Sequence, residues 1–484
     1  MFPGATAALD LGRRVRRILV CAAAVALTCS LVLAAAPPFL RAQAHRPDVV
    51  LILTDDQPWY QLARMPSVRA LLVNEGVRFT RGFVTNPLCC PSRASILTGT
   101  FSHTNGIYTN GDTESHGGFE EFDDASTFAT WLDGAGYHTG FAGKYLNHYG
   151  PGRRYVPPGW DWWAAMDEAN GAFYDYDEFL DRDTHDGVAG RIVSHGTARS
   201  DYSTDHFADE SVRFIRSVPA GEPLLLSYWP YAPHGPATPA RRHKDAFSRV
   251  RLPRPPNFDE RRVADKPRYI RKLDRLGRKR IRGLTSSYRR QLASLLAVDD
   301  AVRRIVQALS ETGRLHDTMI VFTSDNGKAN GEHRWTYKLT PYEESIRVPF
   351  VVRYDALGSV GSSGAIVANV DLAPTFADLA RTGSPGAEGE SLLPLLRGSQ
   401  DSVRDALLIE HLWYSRGKPV PPTYCAVRTR NAIYVHYARG RDEYYRLRKD
   451  PYELRNLIGA PGGLPLLEVL RGLCSPRPPG MPAF

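Results

Sequence analysis

The chain has no internal repeat and no low-complexity tract, which excludes solenoid and low-complexity architectures. It has no Asn-x-Ser/Thr triplet, so nothing directs N-linked glycosylation. Lysine is rare, nine of the 61 basic residues, a bias toward arginine that decides no chemistry. Cysteine is scarce too: six in 484 residues, and only Cys89, Cys90, Cys425 and Cys474 lie beyond the N-terminal segment. That is too few for a disulfide-dense scaffold, and stability must come from a buried core. The length suits one large α/β domain plus a smaller one, and the composition is that of a soluble globular enzyme.

Residues 1–44 read as an export signal. Arg13, Arg14, Arg16 and Arg17 make a basic start, Ile18 to Ala36 is an apolar run, and Ala42-Gln43-Ala44 offers a small-x-small cleavage site. A retained anchor is the competing reading, because the run approaches the length of a short spanning helix. The small residues and the cleavage site favour removal. The expected location is secreted or periplasmic, with membrane contact only transient, through this segment. Loss of five arginines and one acid lowers the formal net charge from +9 to +5. That balance permits polyanionic partners without demanding them.

Three apolar runs have the unbroken character of strands buried on both faces of a parallel sheet. Asp48 to Leu53 ends in Thr54-Asp55-Asp56, Leu224 to Trp229 leads into Ala232-Pro233-His234, and Thr318 to Phe322 ends in Thr323-Ser324-Asp325-Asn326-Gly327. Open α/β sheets place their sites at the C-terminal ends of such strands. Taken singly, adjacent acids after a strand are a solvated turn and Asp-Asn-Gly is a common turn. Taken together, Asp55, Asp56, Asp325 and Asn326 offer the carboxylate and amide oxygens that hard divalent cations take. A fourth stretch, Pro87-Leu88-Cys89-Cys90-Pro91-Ser92-Arg93-Ala94-Ser95-Ile96-Leu97-Thr98-Gly99, places a thiol where an extended segment turns into a helix. Pro91 suits the first helical position, and the free N–H groups of a helix start favour an anion. Arg93, about one turn on, is expected to aim a permanent cation at the same region.

This stretch resembles the sulfatase signature over its whole length. The order Asp55-Asp56, Cys89-x-Pro91-Ser92-Arg93, Asp325-Asn326-Gly327 is that family's order, and the resemblance runs over roughly residues 45–460. It implies an α/β fold of the alkaline phosphatase type: a large mixed or parallel sheet flanked by helices, with a small C-terminal antiparallel sheet subdomain. It implies that Cys89, not Cys90, is oxidised to formylglycine by a formylglycine-generating enzyme. One divalent cation, Ca²⁺ or else Mg²⁺, would be held by Asp55, Asp56, Cys89, Asp325 and Asn326. Gly136 to Leu146 looks like the second signature of the family, in which Lys144 approaches the sulfate. Leu146 stands where many members have a histidine, and Asn147 or His148 is the candidate to replace it. His234 resembles the family's Pro-His pair and Lys338 its second active-site lysine. The implied catalytic set is therefore Cys89, Arg93, Lys144, His234 and Lys338. Gly143-Lys144-Tyr145-Leu146-Asn147, with Pro157 to Trp163, is similar to the glucosamine-6-sulfatase branch and its extracellular relatives.

The expected organisation is a signal at 1–44, a catalytic domain at 45–400, and a sheet subdomain with a Pro-rich tail at 401–484. Within it, Ser126 to Ala135 and Ser287 to Ser310 read as helices, and Arg347 to Val352 as a strand. Asp371 reads as the N-cap of a helix, Asp299-Asp300 as structural or as support behind the site's own residues, and Tyr424–Arg428, Ala432–Tyr437 and Glu443–Leu447 as short strands. Once Cys89 is converted, three thiols remain, so at most one disulfide forms; Cys425 with Cys474 would tie down the tail, a pairing that spacing leaves open. Residues 241–290 are strongly basic, either a solvated face or a rim for sulfated polysaccharide, and no nucleic-acid motif accompanies the charge. The function implied is a metal-dependent hydrolase of sulfate esters, acting on sulfated sugars such as N-acetylglucosamine 6-sulfate or on aryl sulfates. Two alternatives stay open: a phosphonate monoester hydrolase or phosphodiesterase with the same site, and a sulfoglycan-binding protein that does not catalyse.

Overall fold

The computed structural model describes residues 46–111, 116–150, 152, 154–167, 172–414, 420–459, 465–474 and 477–479. The export signal expected at 1–44 lies outside the described residues, as does most of the Pro-rich tail. A ten-stranded mixed sheet is made by β1 (Asp48–Thr54), β2 (Val77–Phe83), β3 (His138–Gly143), β4 (Trp162–Asp167), β5 (Asp177–Asp181), β6 (Arg191–Ser194), β7 (Leu224–Trp229), β8 (Thr318–Ser324), β9 (Phe350–Arg353) and β10 (Gly361–Ala368). Their order across the sheet is β10-β2-β9-β8-β1-β7-β3-β4-β5-β6. The central five, β8, β1, β7, β3 and β4, run parallel.

Parallel strands need helical crossovers, and the helices cover both faces. On one face Val49, Leu51, Leu53, Leu225 and Val321 pack against α1 (Cys89–Thr98), α2 (Phe128–Asp133) and α5 (Leu372–Ala380), through Ile96, Phe128, Leu132 and Phe376. On the other, Val50, Ile52, Leu226, Ile320 and Phe322 meet α3 (Ser203–Ser217) and α4 (Arg278–Glu311), through Phe207, Phe214, Val298, Val302 and Ile305. Alternate residues of the same strand thus enter different cores. That is why these runs are apolar throughout.

The second sheet is antiparallel: β11 (Ala406–His411), β12 (Tyr424–Thr429), β13 (Ala432–Tyr437) and β14 (Glu443–Arg446), in that order. Its Ile409, Tyr424, Ile433 and Tyr445 share one hydrophobic cluster with Phe83, Tyr342, Ile366 and Ala368 of the larger sheet's side. Cys425 in β12 is disulfide-bonded to Cys474 across a Cα separation of 6.0 Å.

Several expectations are corrected. The helix expected over 287–310 begins at Arg278, so the basic residues of 278–282 occupy its first turns. The helix expected over 126–135 spans Phe128–Asp133, started by a capping box at Thr127. The strand expected from Arg347 begins at Phe350, after Val348-Pro349. Pro91 is the third residue of α1, not the first, because the turn closes one residue after Leu88. Asp371 holds the N-cap position of α5 as expected, but without a capping hydrogen bond from its side chain: its carboxylate accepts from the Ala368 and Glu390 amides and pairs with Arg404 instead. Asp299 is structural as expected, accepting the Ser67 and Val68 amides at 2.9 and 2.8 Å.

Candidate active site

Register alone brings the first acids together. β1 and β8 pair in parallel with Thr54 opposite Ser324, so the residues that follow, Asp55-Asp56 and Asp325-Asn326, leave the sheet side by side. The Asp325 amide donates to the Thr54 carbonyl at 3.0 Å, and the Asp56 amide to Asp325 Oδ1 at 3.1 Å. Asp56 takes a left-handed conformation, φ 62°, which short polar side chains tolerate better than most. α1 begins beside them, with Leu88 extended and Cys89 first in the helix. β3 delivers Lys144, and the loop after β7 delivers His234.

The Cys89 thiol is buried, 3.5 Å from Asp55 Oδ1, and Lys338 Nζ donates to its sulfur at 2.6 Å. Lys338 also reaches Asp56 Oδ1 at 2.6 Å, while Lys144 Nζ lies 2.8 Å from Asp55 Oδ2 and over the Tyr231 ring. Asn326 Nδ2 donates to Asp56 Oδ1 at 2.6 Å. His234 Nε2 is 3.8 Å from Asp56 Oδ2, and Nδ1 donates to the Gly235 carbonyl at 2.9 Å, which leaves Nε2 facing the acids. Ligand atoms of Asp55, Asp56, Cys89 and His234 all lie within 4.8 Å of one another.

Arg93 differs from expectation. Its Nε donates to Asp325 Oδ2 at 2.9 Å, its Nη2 to Asp55 Oδ2 at 3.2 Å, and its Nη1 to the Lys144 and Tyr145 carbonyls at 2.6 and 3.1 Å. The guanidinium lies on Trp229, 5.4 Å from the ring centroid. It clamps the acids to the end of β3 rather than aiming at Cys89, because two buried carboxylates draw it more strongly than a neutral thiol.

Burial and charge pull in opposite directions throughout the cluster. Burial would raise the Asp55 carboxyl, but Lys144, His234 and Arg93 outweigh it and hold it below the ordinary range. Asp56 is likewise held down against burial, by Lys338, His234 and Lys328. Asp325 goes the other way, to about 6, through burial and the neighbouring Asp55. The Cys89 thiol is pushed well up by burial and by Asp55, so the unmodified side chain is a poor nucleophile. Burial would lower Lys338, but Asp56 prevails and keeps it charged.

All nine side chains singled out from the sequence thus meet at one end of the parallel strands. Lys328 was missed: it reaches Asp56 Oδ2 at 3.5 Å, and its place directly after Asn326-Gly327 was the available signal. Leu146 is buried in the core, His148 is exposed, and the Asn147 carbonyl accepts the Phe119 amide. His333 is bonded to Glu260 at 2.7 Å, and burial pushes its pKa down to about 3, which favours the neutral ring.

A family model described as Sulfatase matches residues 47–382, and one described as the C-terminal part of N-sulphoglucosamine sulphohydrolase matches 331–472. The chain is 34% identical over 461 residues to a Homo sapiens protein named N-acetylglucosamine-6-sulfatase, covering 86% of this chain and 82% of that one. It is 36% identical over 372 residues to a Drosophila melanogaster extracellular sulfatase homolog, covering 75% of this chain and 32% of that longer protein. A solved structure described as a complex with its substrate D-glucosamine-2-N,6-O-disulfate has a TM-score of 0.74 at 27% identity, over 88% of this chain and 96% of that one.

Proposed function

The chain belongs to the sulfatase family, and from that membership we propose that it is an exported hydrolase of sulfate esters on amino sugars, 6-sulfated glucosamine units above all. The observation that carries the reading is the setting of Cys89: a buried thiol at a helix start, touching Lys338 and Asp55, inside a ring of acids and cations. The human relative's name supports the sugar and the Drosophila relative's name supports export.

Asp55, Asp56, Asp325 and Asn326 fit a hard divalent cation, Ca²⁺ or Mg²⁺, since three carboxylates and a carboxamide converge, fully buried, from two adjacent strand ends; Asn326 turns Nδ2 to Asp56, and a flip of its amide would present the oxygen. When bound, the ion supplies positive charge that lowers the pKa of a neighbouring hydroxyl. Conversion of Cys89 by a formylglycine-generating enzyme would give an aldehyde whose hydrate carries two hydroxyls, one to attack sulfur and one to make release of sulfate feasible. The Cys89 sulfur stands in for one of those oxygens. Lys338, 2.6 Å from it, holds that oxygen and meets charge developing on the ester. Lys144 is on Asp55 Oδ2, the carboxylate oxygen that Cys89 does not contact, and serves the remaining sulfate oxygens. Arg93 acts on the acids, fixing Asp55 and Asp325 in place. His234 has its Nδ1–H held by the Gly235 carbonyl and burial lowers its pKa, so Nε2 rests bare beside the acids; it takes up a proton in the course of the reaction and passes it to the departing sugar oxygen.

Mass spectrometry of the tryptic peptide Gly82–Arg93 tests the modification: formylglycine is lighter than cysteine by about 18 Da. Parallel assays then compare N-acetylglucosamine 6-sulfate, an aryl sulfate and an aryl phosphodiester. Turnover of the sulfates with the lighter peptide is expected. An intact thiol at Cys89 in active protein, or a preference for the phosphodiester, overturns the reading.

A further inference from the structure

A second set of metal-binding side chains lies at the far edge of the large sheet. Glu178 stands in β5 with Met166 of β4 and Val193 of β6 as its cross-strand neighbours. That face of the sheet is apolar, lined by Met166, Leu180 and Phe207. The Glu178 side chain is 0% exposed, a costly place for a carboxylate without partners.

Two histidines reach it from different elements. His195 directly follows β6, and His206 lies in the first turn of α3. Their Nε2 atoms are 2.9 and 2.8 Å from the same oxygen, Glu178 Oε2. The three ligand atoms lie within 4.8 Å of one another. Glu178 Oε1 is buried with no hydrogen-bond partner. Packing orients both rings: Tyr176 stacks on His195 at 4.5 Å, and Phe207 meets His206 edge-on at 5.2 Å. Hydrogen bonding alone accounts for this poorly, because two ring N–H groups crowd one oxygen while its twin has none.

We propose that Glu178, His195 and His206 form a second cation site, independent of the chemistry at Cys89, that binds a borderline transition ion such as Zn²⁺ and staples the β5–β6 edge to α3. Two imidazoles and one carboxylate suit Zn²⁺, whereas Ca²⁺ asks for oxygen ligands only. Zinc bonds of about 2.0–2.1 Å set tetrahedral ligands about 3.3 Å apart, so the two contacts need open by only a few tenths of an ångström. The ion replaces the two ring protons at Nε2 and brings charge within reach of the orphaned Oε1. His206 is 17% exposed, which leaves a water-accessible side for a fourth ligand. Among the described residues β6 is the outermost strand, paired only with β5, and its Arg191, Ile192 and Ser194 are exposed. The fold gives it little else to hold on to.

The test uses the full, tag-free chain in excess Ca²⁺, stripped of transition metals, loaded with Zn²⁺ and desalted, with bound zinc measured by mass spectrometry and stability by thermal unfolding. One zinc per chain and a rise in Tm are expected for the wild type and for Cys89→Ser. Each of His195→Gln and His206→Gln should weaken zinc binding at least about tenfold, and the double variant should hold none. Zinc-edge absorption on the unmutated protein should show imidazole and oxygen ligands without sulfur, a readout that survives if the variants misfold. No retained zinc, retention unchanged in the double variant, loss in Cys89→Ser, or a sulfur ligand would each overturn the proposal.

Discussion

Cys89 and Cys90 are chain neighbours in opposite surroundings. Cys89 faces Asp55 and Lys338, whereas Cys90 is packed in the apolar core with its amide on Asn110 Oδ1 and its thiol pushed up to about 12 by burial. Steady-state assays should therefore find no turnover for Cys89→Ala and kcat within about tenfold of wild type for Cys90→Ala. The reverse pattern would refute the assignment of the nucleophile. The same neighbourhood marks the limit of reading residues from sequence. Motif spacing found Arg93 but not what it grips, because Asp55 and Asp325 lie 38 and 232 positions away and only folding supplies them. Lys328 escaped for a similar reason: its place after Asn326-Gly327 puts it near the site, but only the fold turns its side chain back to Asp56.

At the scale of elements, the strand ends do the positioning, and Gly143 shows how tightly. It closes β3 at φ 129°, and a Cβ there would stand 2.1 Å from the Trp229 carbonyl oxygen on β7. That carbonyl accepts the Lys144 amide at 2.9 Å, so the close approach is what sets Lys144 against Asp55. Gly143→Ala has to part the two strands or twist the turn, a strain of about 2 kcal/mol or more. Its Tm should fall by several degrees and its kcat should drop, while Gly152→Ala, with open space around it, should leave both unchanged. Differential scanning calorimetry with an activity assay separates the two. The parallel strands were legible because burial on both faces writes an unbroken apolar run, which few other elements produce. The start of α4 was not, since its first turns, from Arg278, are exposed and carry no apolar stripe. β11 was passed over too: its apolar residues facing the larger sheet, Leu407 and Ile409, are only two, and its pattern needs the partner strand to have meaning.

For the whole molecule the question is how the small sheet is held to the large one, and charge adds to the shared core. His103 lies in the segment just after α1; its Nδ1 is 2.9 Å from Glu410 Oε2 in β11 and its Nε2 is 3.4 Å from Glu388 Oε1. Burial would lower the ring's pKa, but the two glutamates prevail and raise it from 6.5 to about 9. A raised pKa in the folded state means that the histidine contributes fully below the unfolded value and loses its contribution as pH rises through the folded one. The stabilising window therefore lies below about pH 6.5 and closes through about pH 9. His103→Gln should cost about 1 kcal/mol or more near pH 6, as loss of a charged hydrogen bond does, and the gap should close by about pH 10. Thermal unfolding of both proteins across that range tests it, and a gap that stays constant with pH would show that His103 acts by packing alone. The sign matters for function as well. Under the proposed cation site, Asp325, raised to about 6 by burial and Asp55, has to be ionised to act as a ligand, so the expected binding strengthens as pH rises while the link to β11 weakens. Asp325 and the His103 joint thus titrate on opposite sides of neutrality.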